Sequence, residues 1–299
     1  MSEIGTIGFI GLGSMGSGMT RNLRKAGFDL VVNDLEPARA RELLDGGARW
    51  ADTPAETAAA SDVVITMLPT PGSVAQVVNG PKGILSGIGH DGTWVDMSTS
   101  VPDVAHEVRL QRPGIRVLDA PVSGMSVGAA AGTLQIFVGG EERDVARLRP
   151  VFEAMGDPER ILHVGGHGAG YVVKLMLNQL WFSHLVATTE VLAVGVKAGV
   201  DLGVLRNALV ASPANSNFVE RDVLSVLADG DYDEGFAIAL ACKDLGLSID
   251  LAGAVGVPAR LGALVEQTFR RALQAYGDRA GEMTPMRLYE DAIGRELRL

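Results

Sequence analysis

The 299-residue sequence predicts an α/β N-terminal half on a doubly wound parallel sheet, then an all-α C-terminal half joined to it by a long helix. Three observations predict this. Short β-branched runs alternate with amphipathic segments as far as residue 155. A glycine-rich joint, Gly165-Gly166-His167-Gly168, ends the alternation. Beyond it nearly everything to Leu299 has helical periodicity.

The expected strands are 6–10, 30–33, 63–67, 93–96, 116–119 and 134–138. The expected helices of this half are 15–25, 37–44, 53–60, 74–78, 101–109 and 141–155. Thr53 before Pro54 is a start signal, because proline suits the first helical turn. In the second half the periodicity predicts helices over 169–198, 202–210, 221–228, 237–254, 259–276 and 285–293. The joint predicts two domains, 1–165 for a dinucleotide and 166–299 all-helical. The apolar stretch 171–198 contains Lys174, Asn178, Gln179, His184 and Glu190, so it reads as a buried helix and not as a membrane span.

Composition excludes several classes of partner. Lys and Arg number 26 against 36 Asp and Glu, a formal charge of −10, which disfavours nucleic acid and anionic membranes. The single cysteine, Cys242, cannot form an internal disulfide, and none of the five histidines has metal-ligand spacing. Residues 1–10 show no basic region ahead of an apolar run, so no signal peptide is expected and the cytoplasm is the expected compartment. Glycine is abundant, at 38 residues, and its placement leads to the chemistry.

Gly11-Leu12-Gly13-Ser14-Met15-Gly16 follows the first strand and opens a helix. In such a loop the first glycine permits the tight turn, the second admits a pyrophosphate, and the third packs helix on strand. The second strand ends in Asn33-Asp34, and Asp34 lies about 20 residues beyond the loop, where a carboxylate meets the adenosine ribose hydroxyls and repels a 2′-phosphate. NAD is therefore expected over NADP. Arg39 and Arg41 follow closely; either could serve a phosphate or be a solvated charge. Met67-Leu68-Pro69-Thr70-Pro71 and Asp96-Met97-Ser98-Thr99-Ser100 sit at carboxyl ends of predicted strands, where open α/β sheets bind ligands, although Pro, Ser and Thr are also ordinary turn residues there. Residues 119–134 follow another strand and are rich in small side chains. They read either as a connection or as a turn whose Ser123 and Gly124 amides receive a carboxylate. Lys174 and Asn178 share one helical face with Trp181 and Leu185. Desolvation favours a neutral amine, the form that accepts a proton, while a snorkelling lysine is the bland alternative. Lys243-Asp244-Leu245 places another charged pair inside an apolar pattern or on a solvated face.

In this order the motifs resemble the β-hydroxyacid dehydrogenase family, especially the 3-hydroxyisobutyrate dehydrogenases, over almost the whole chain. The resemblance implies a Rossmann-type domain followed by a helical domain, assembled as a homodimer or homotetramer. It also implies hydride transfer between NAD, or NADP, and a small carboxylate-bearing hydroxyacid. Lys174 matches the family's catalytic lysine, and Ser123, Gly124 and Asn178 match its substrate-binding positions. Gly11, Leu12, Gly13, Ser14, Met15, Gly16, Asn33, Asp34, Met67, Leu68, Pro69, Ser73, Thr99 and Lys243 match cofactor-binding positions. One departure stands out: the family usually has a second glycine after Ser-Gly, and this chain has Met125, which restricts the backbone and adds bulk beside the carboxylate turn. A semialdehyde-acid reductase using NADP(H) and a non-catalytic NAD sensor are the alternatives. Imine reductases resembling this family generally lack the lysine.

Overall fold

The computed structural model describes residues 4–233 and 235–299. It comprises two compact units, Met1–Lys174 and Leu175–Leu299. In the first, β1 (Thr6–Ile10) leads through the glycine loop into α1 (Ser14–Lys25), and β2 (Asp29–Asn33), α2 (Arg41–Asp45), β3 (Arg49–Trp50) and α3 (Pro54–Ala59) follow. Next come β4 (Val63–Thr66), α4 (Pro71–Asn79), α5 (Ile84–Gly87), β5 (Thr93–Asp96), α6 (Pro102–Gln111) and β6 (Arg116–Asp119). The unit then adds β7 (Val122–Ser123), α7 (Met125–Ala131), β8 (Leu134–Gly139), α8 (Glu142–Met155) and β9 (Gly156–Gly165).

The sheet order is β3-β2-β1-β4-β5-β6-β8-β7, with β9 on β8. β1 to β6 are parallel, and the interior strands β1, β4, β5 and β6 are buried on both faces, while the edge strand β3 is not. Alternate residues go to opposite sides: Ile7, Phe9, Ile65 and Val95 enter one apolar cluster, Ile10, Val64, Trp94 and Val117 the other. The sequence predicts parallel strands throughout, but β8 runs antiparallel to β6 and β7. The seven-residue α7 rises only about 10 Å, too little for a crossover, so the chain re-enters the sheet from the end it left.

Two helix starts carry threonine caps. Thr53 Oγ1 accepts from Glu56 N and Thr70 Oγ1 from Ser73 N, with proline in the first turn in both cases. α1 lies close on α7: a Cβ on Gly18 would stand 2.8 Å from the Ala130 amide nitrogen, and Asn22 Nδ2 donates to the Ala129 carbonyl at 2.8 Å.

α9 (Ala169–Lys197) follows the glycine joint, and the division between the units falls within it. The second unit continues with α10 (Leu202–Val210), α11 (Leu224–Asp229), α12 (Ile238–Ala254), α13 (Arg260–Tyr276) and α14 (Pro285–Ile293). Its core gathers Phe182, Leu185, Phe218, Leu245, Phe269 and Met286. Among the described residues no helix is long and apolar enough to cross a membrane.

Candidate active site

The order β3-β2-β1-β4-β5-β6 reverses direction between β1 and β4, and ligands of such sheets bind outside the carboxyl ends of the strands at that point. The glycine loop sits there, and its three glycines have separate physical reasons. Gly11 has φ +100° and its Cβ would strike the Met67 carbonyl oxygen, while a Cβ on Gly16 would strike the Gly11 carbonyl. A side chain is sterically excluded at both. At Gly13 an added Cβ would have only the Arg39 Nη1 within 4 Å, at 3.6 Å. The open side of Gly13 is thus a cradle that any side chain would fill, and Gly13 caps α1 without a side-chain acceptor. The amides of Ser14, Met15 and Gly16 begin that helix, so the loop fits a pyrophosphate.

Asp34 is tied to this loop. Its Oδ2 accepts from Leu12 N at 2.6 Å and its Oδ1 from Glu36 N at 2.8 Å. Arg39 stands 4.0 Å from Asp34 Oδ1 and pairs at 2.7 Å with Glu36. Asn33 contributes through its backbone: its carbonyl accepts from Gly11 N, while its side-chain amide is committed to the Ala51 carbonyl.

The loops after β4 and β5 are joined to each other. Leu68 N donates to Ser98 Oγ at 2.9 Å, and Ser98 Oγ donates to Asp96 Oδ1 at 2.6 Å. Met67 and Leu68 are half-buried, Pro69 is exposed, and Thr99 is half-buried beside fully buried Ser98 and Ser100. Ser73 lies in the first turn of α4, 2.9 Å from the Thr70 hydroxyl.

After β6 the substrate-turn candidate takes an unusual backbone. Ser123 pairs with Gln135 across β7 and β8. Gly124 has φ +129°, and Met125 follows at φ +55° with 38% of its surface exposed. Met125 is the one non-glycine residue with positive φ among those described. A conformation suited to glycine is held here by a methionine.

Lys174, half-buried, stands in the second turn of α9. Asp119, the last residue of β6, anchors that helix by accepting from Gly168 N at 2.7 Å and Tyr171 N at 3.1 Å. Burial raises the Asp119 carboxyl to about 6 despite these amides. In the second unit Asn178 and Lys243 come together on a residue absent from the site expectations. Buried Asp244 accepts from Asn178 Nδ2 at 2.6 Å and has its other oxygen 2.7 Å from Lys243 Nζ. The Lys243-Asp244 motif gave the only sequence signal for it. Among the described residues, no group of three or more His, Cys, Asp and Glu is arranged to hold a metal ion.

This sheet order and glycine loop define a dinucleotide-binding domain of the Rossmann class. Residues 6–166 match the family described as the NAD binding domain of 6-phosphogluconate dehydrogenase. Residues 168–289 match the family described as NAD-binding of NADP-dependent 3-hydroxyisobutyrate dehydrogenase. The chain is 38% identical over 283 residues to a 3-hydroxyisobutyrate dehydrogenase of Pseudomonas aeruginosa, covering 92% of this chain and 94% of that one. It is 37% identical over 265 residues to the 2-(hydroxymethyl)glutarate dehydrogenase of Eubacterium barkeri, covering 88% and 87%. Among solved structures, the Mycobacterium tuberculosis 3-hydroxyisobutyrate dehydrogenase with L-serine superposes with a TM-score of 0.88 at 31% identity, over 95% of this chain and 99% of that one. The chain belongs to the β-hydroxyacid dehydrogenase family. It is an NAD(P)-dependent oxidoreductase acting on the CH–OH group of a small hydroxyacid.

Proposed function

We propose that the protein oxidises the β-hydroxyl of a small acid of the 3-hydroxyisobutyrate kind, with NAD as acceptor and Lys174 as general acid/base. The observation that carries the reading is the start of the α9 helix on Asp119. It ties the lysine's helix to the strand end that leads, four residues on, into Ser123-Gly124. The Ser123-Gly124 turn fixes the substrate carboxylate, which sets the β-hydroxyl against Lys174. Neutral Lys174 takes the hydroxyl proton during oxidation, and protonated Lys174 returns it during reduction. When bound, the nicotinamide supplies hydride chemistry at its C4. Asn178, one helical turn beyond Lys174, orients substrate and lysine, and Lys243 contributes a cation toward cofactor or substrate. Asp34 favours NAD by taking the place a 2′-phosphate would need.

The cofactor unit in this reading is 1–165 and the helical substrate and dimerisation unit is 166–299. Val194, Leu261 and Leu264, each about 60% exposed in the single chain, support self-association as a homodimer or homotetramer. A cytoplasmic setting suits the lone, buried Cys242.

The deciding assay is Lys174→Ala with a panel of 3-hydroxyisobutyrate, L-serine and 2-(hydroxymethyl)glutarate, each offered with NAD and NADP. Serine shares the carboxylate and β-hydroxyl with 3-hydroxyisobutyrate and exchanges the methyl for an ammonium. We expect kcat to fall by roughly 10²–10⁴ with NAD affinity changed less than a few-fold. Activity close to the parent's removes Lys174 from the mechanism, and NAD binding with no NADH from any acid identifies a sensor.

A further inference from the structure

Asp96 and Asp119 end neighbouring strands in direct register and have no exposed surface. Two carboxylates withdrawn from water side by side are costly unless each is fully hydrogen-bonded. Asp119 faces the N-terminus of α9, where the helix dipole favours negative charge. Asp96 accepts from the hydroxyls of Thr66 and Ser98, each at 2.6 Å, and from Tyr171 Oη at 2.8 Å. Tyr171 therefore touches both carboxylates, with its amide on Asp119 and its hydroxyl on Asp96. Ser98 extends the chain of bonds to the β4 loop through Leu68 N. The space for Asp119 comes from two absent side chains. A Cβ on Gly139 would lie 2.6 Å from Asp119 Oδ2, and one on Gly170 2.8 Å from the same atom.

We propose that Tyr171 is a positioning residue for the dehydrogenase reaction, holding the first turn of α9 on Asp96 and Asp119 so that Lys174 keeps its place against the loops after β4, β5 and β6. The proposal rests on the reading of Lys174 as the acid/base. Lys174 lies three residues beyond Tyr171, about 4.5 Å along the helix axis, so a shift of the first turn passes undiminished to the lysine. Proton transfer requires heavy atoms about 3 Å apart, and a 1 Å displacement costs about 10² in rate. Packing alone does not call for the hydroxyl: the ring belongs to the apolar cluster of Trp94 and Val117, which a phenylalanine would fill equally. Burial and the neighbouring carboxylates push the phenol well above its usual 10, so it remains a donor to Asp96.

The test is Tyr171→Phe, alone and combined with Lys174→Ala, with kcat, NAD affinity and Tm measured for each. The single variant should lose 10- to 100-fold in kcat, with NAD affinity within twofold of the parent. In the Lys174→Ala background the same change should lower the residual rate less than twofold, because residues acting as one unit are non-additive. Asp119→Asn, which keeps the shape but turns one acceptor into a donor, should repeat the pattern and serves if Tyr171→Phe does not fold. A merely structural tyrosine would lower Tm and leave kcat per folded molecule unchanged, or would cost the same with or without Lys174; either result overturns the proposal. Full activity of Lys174→Ala is a separate outcome that refutes the acid/base reading and this inference with it.

Discussion

Met125 offers a test in which the sign of an effect decides. At an ordinary position in the first turn of a helix, alanine is more stable than glycine by roughly 0.5–1 kcal/mol, because glycine has more backbone entropy to lose. At φ +55° the balance changes, since a residue with a Cβ costs roughly 1–2 kcal/mol in the left-handed region. Comparing Met125→Gly with Met125→Ala cancels the loss of the side chain beyond Cβ. What remains is conformational relief less the entropy term, so Met125→Gly should be the more stable by roughly 0.5–1 kcal/mol. Against the parent, each variant forfeits the packing of a side chain that is 38% exposed, which is of order 1 kcal/mol. The glycine variant should then lie close to the parent and the alanine variant below it. Urea unfolding of the three ligand-free proteins at equal concentration measures these differences. An alanine variant as stable as the glycine variant, or more so, would refute the left-handed assignment and remove strain from the account of this turn.

Other residues give further expectations. Asp119 rises from 3.8 to about 6 in the fold, so as pH falls the native state takes up this proton before the unfolded chain does. Its effect is therefore most favourable below pH 4 and is lost as pH rises through about 6, by up to about 3 kcal/mol. The stability of the parent minus that of Asp119→Asn should decline between pH 4 and 6, and a flat difference contradicts the assignment. Asp34→Ser should move the kcat/KM ratio toward NADP by at least about tenfold, because it removes the charge beside Arg39; an unchanged ratio places NAD selectivity elsewhere. Asp244→Ala removes the buried carboxylate shared by Asn178 and Lys243 and should cost about 3 kcal/mol in chemical denaturation. A loss below about 1 kcal/mol would mean that the pair is effectively solvated.

Much of the first unit was legible because its strands are short, β-branched and bounded by glycine, proline or threonine at ends where such residues have a mechanical reason. Thr53 and Thr70 act as caps, and the glycine loop turns where the spacing places it. Segments ruled by tertiary contact were not legible. Residues 122–131 read as a connection or as a carboxylate-binding turn, and not as regular elements, since alanine, glycine and serine carry no periodic signal; they form β7 and α7 under the grip of Asn22. β9 was hidden because Asp157, Pro158, Glu159 and Arg160 look like a turn, and an edge strand tolerates them. Met125 was visible as a departure in the sequence, but its positive φ was not. Asp96, Asp119 and Tyr171 lie 23 to 75 residues apart along the chain, and no local pattern joins them. Asn178 and Lys243 belong to separate sequence patterns, whereas Asp244, which binds both, is defined by packing.

The bond between Asn22 and the Ala129 carbonyl, with Gly18 pressed on the same stretch, makes α7 a rider on the helix that begins at the glycine loop. A library built at residues 123–127 to change the acid accepted will therefore select on two ligands at once. Variants that lift α7 should surrender nucleotide affinity along with acid discrimination. Screening such a library at saturating nucleotide would conceal that loss, so the informative screen runs near the KM of both.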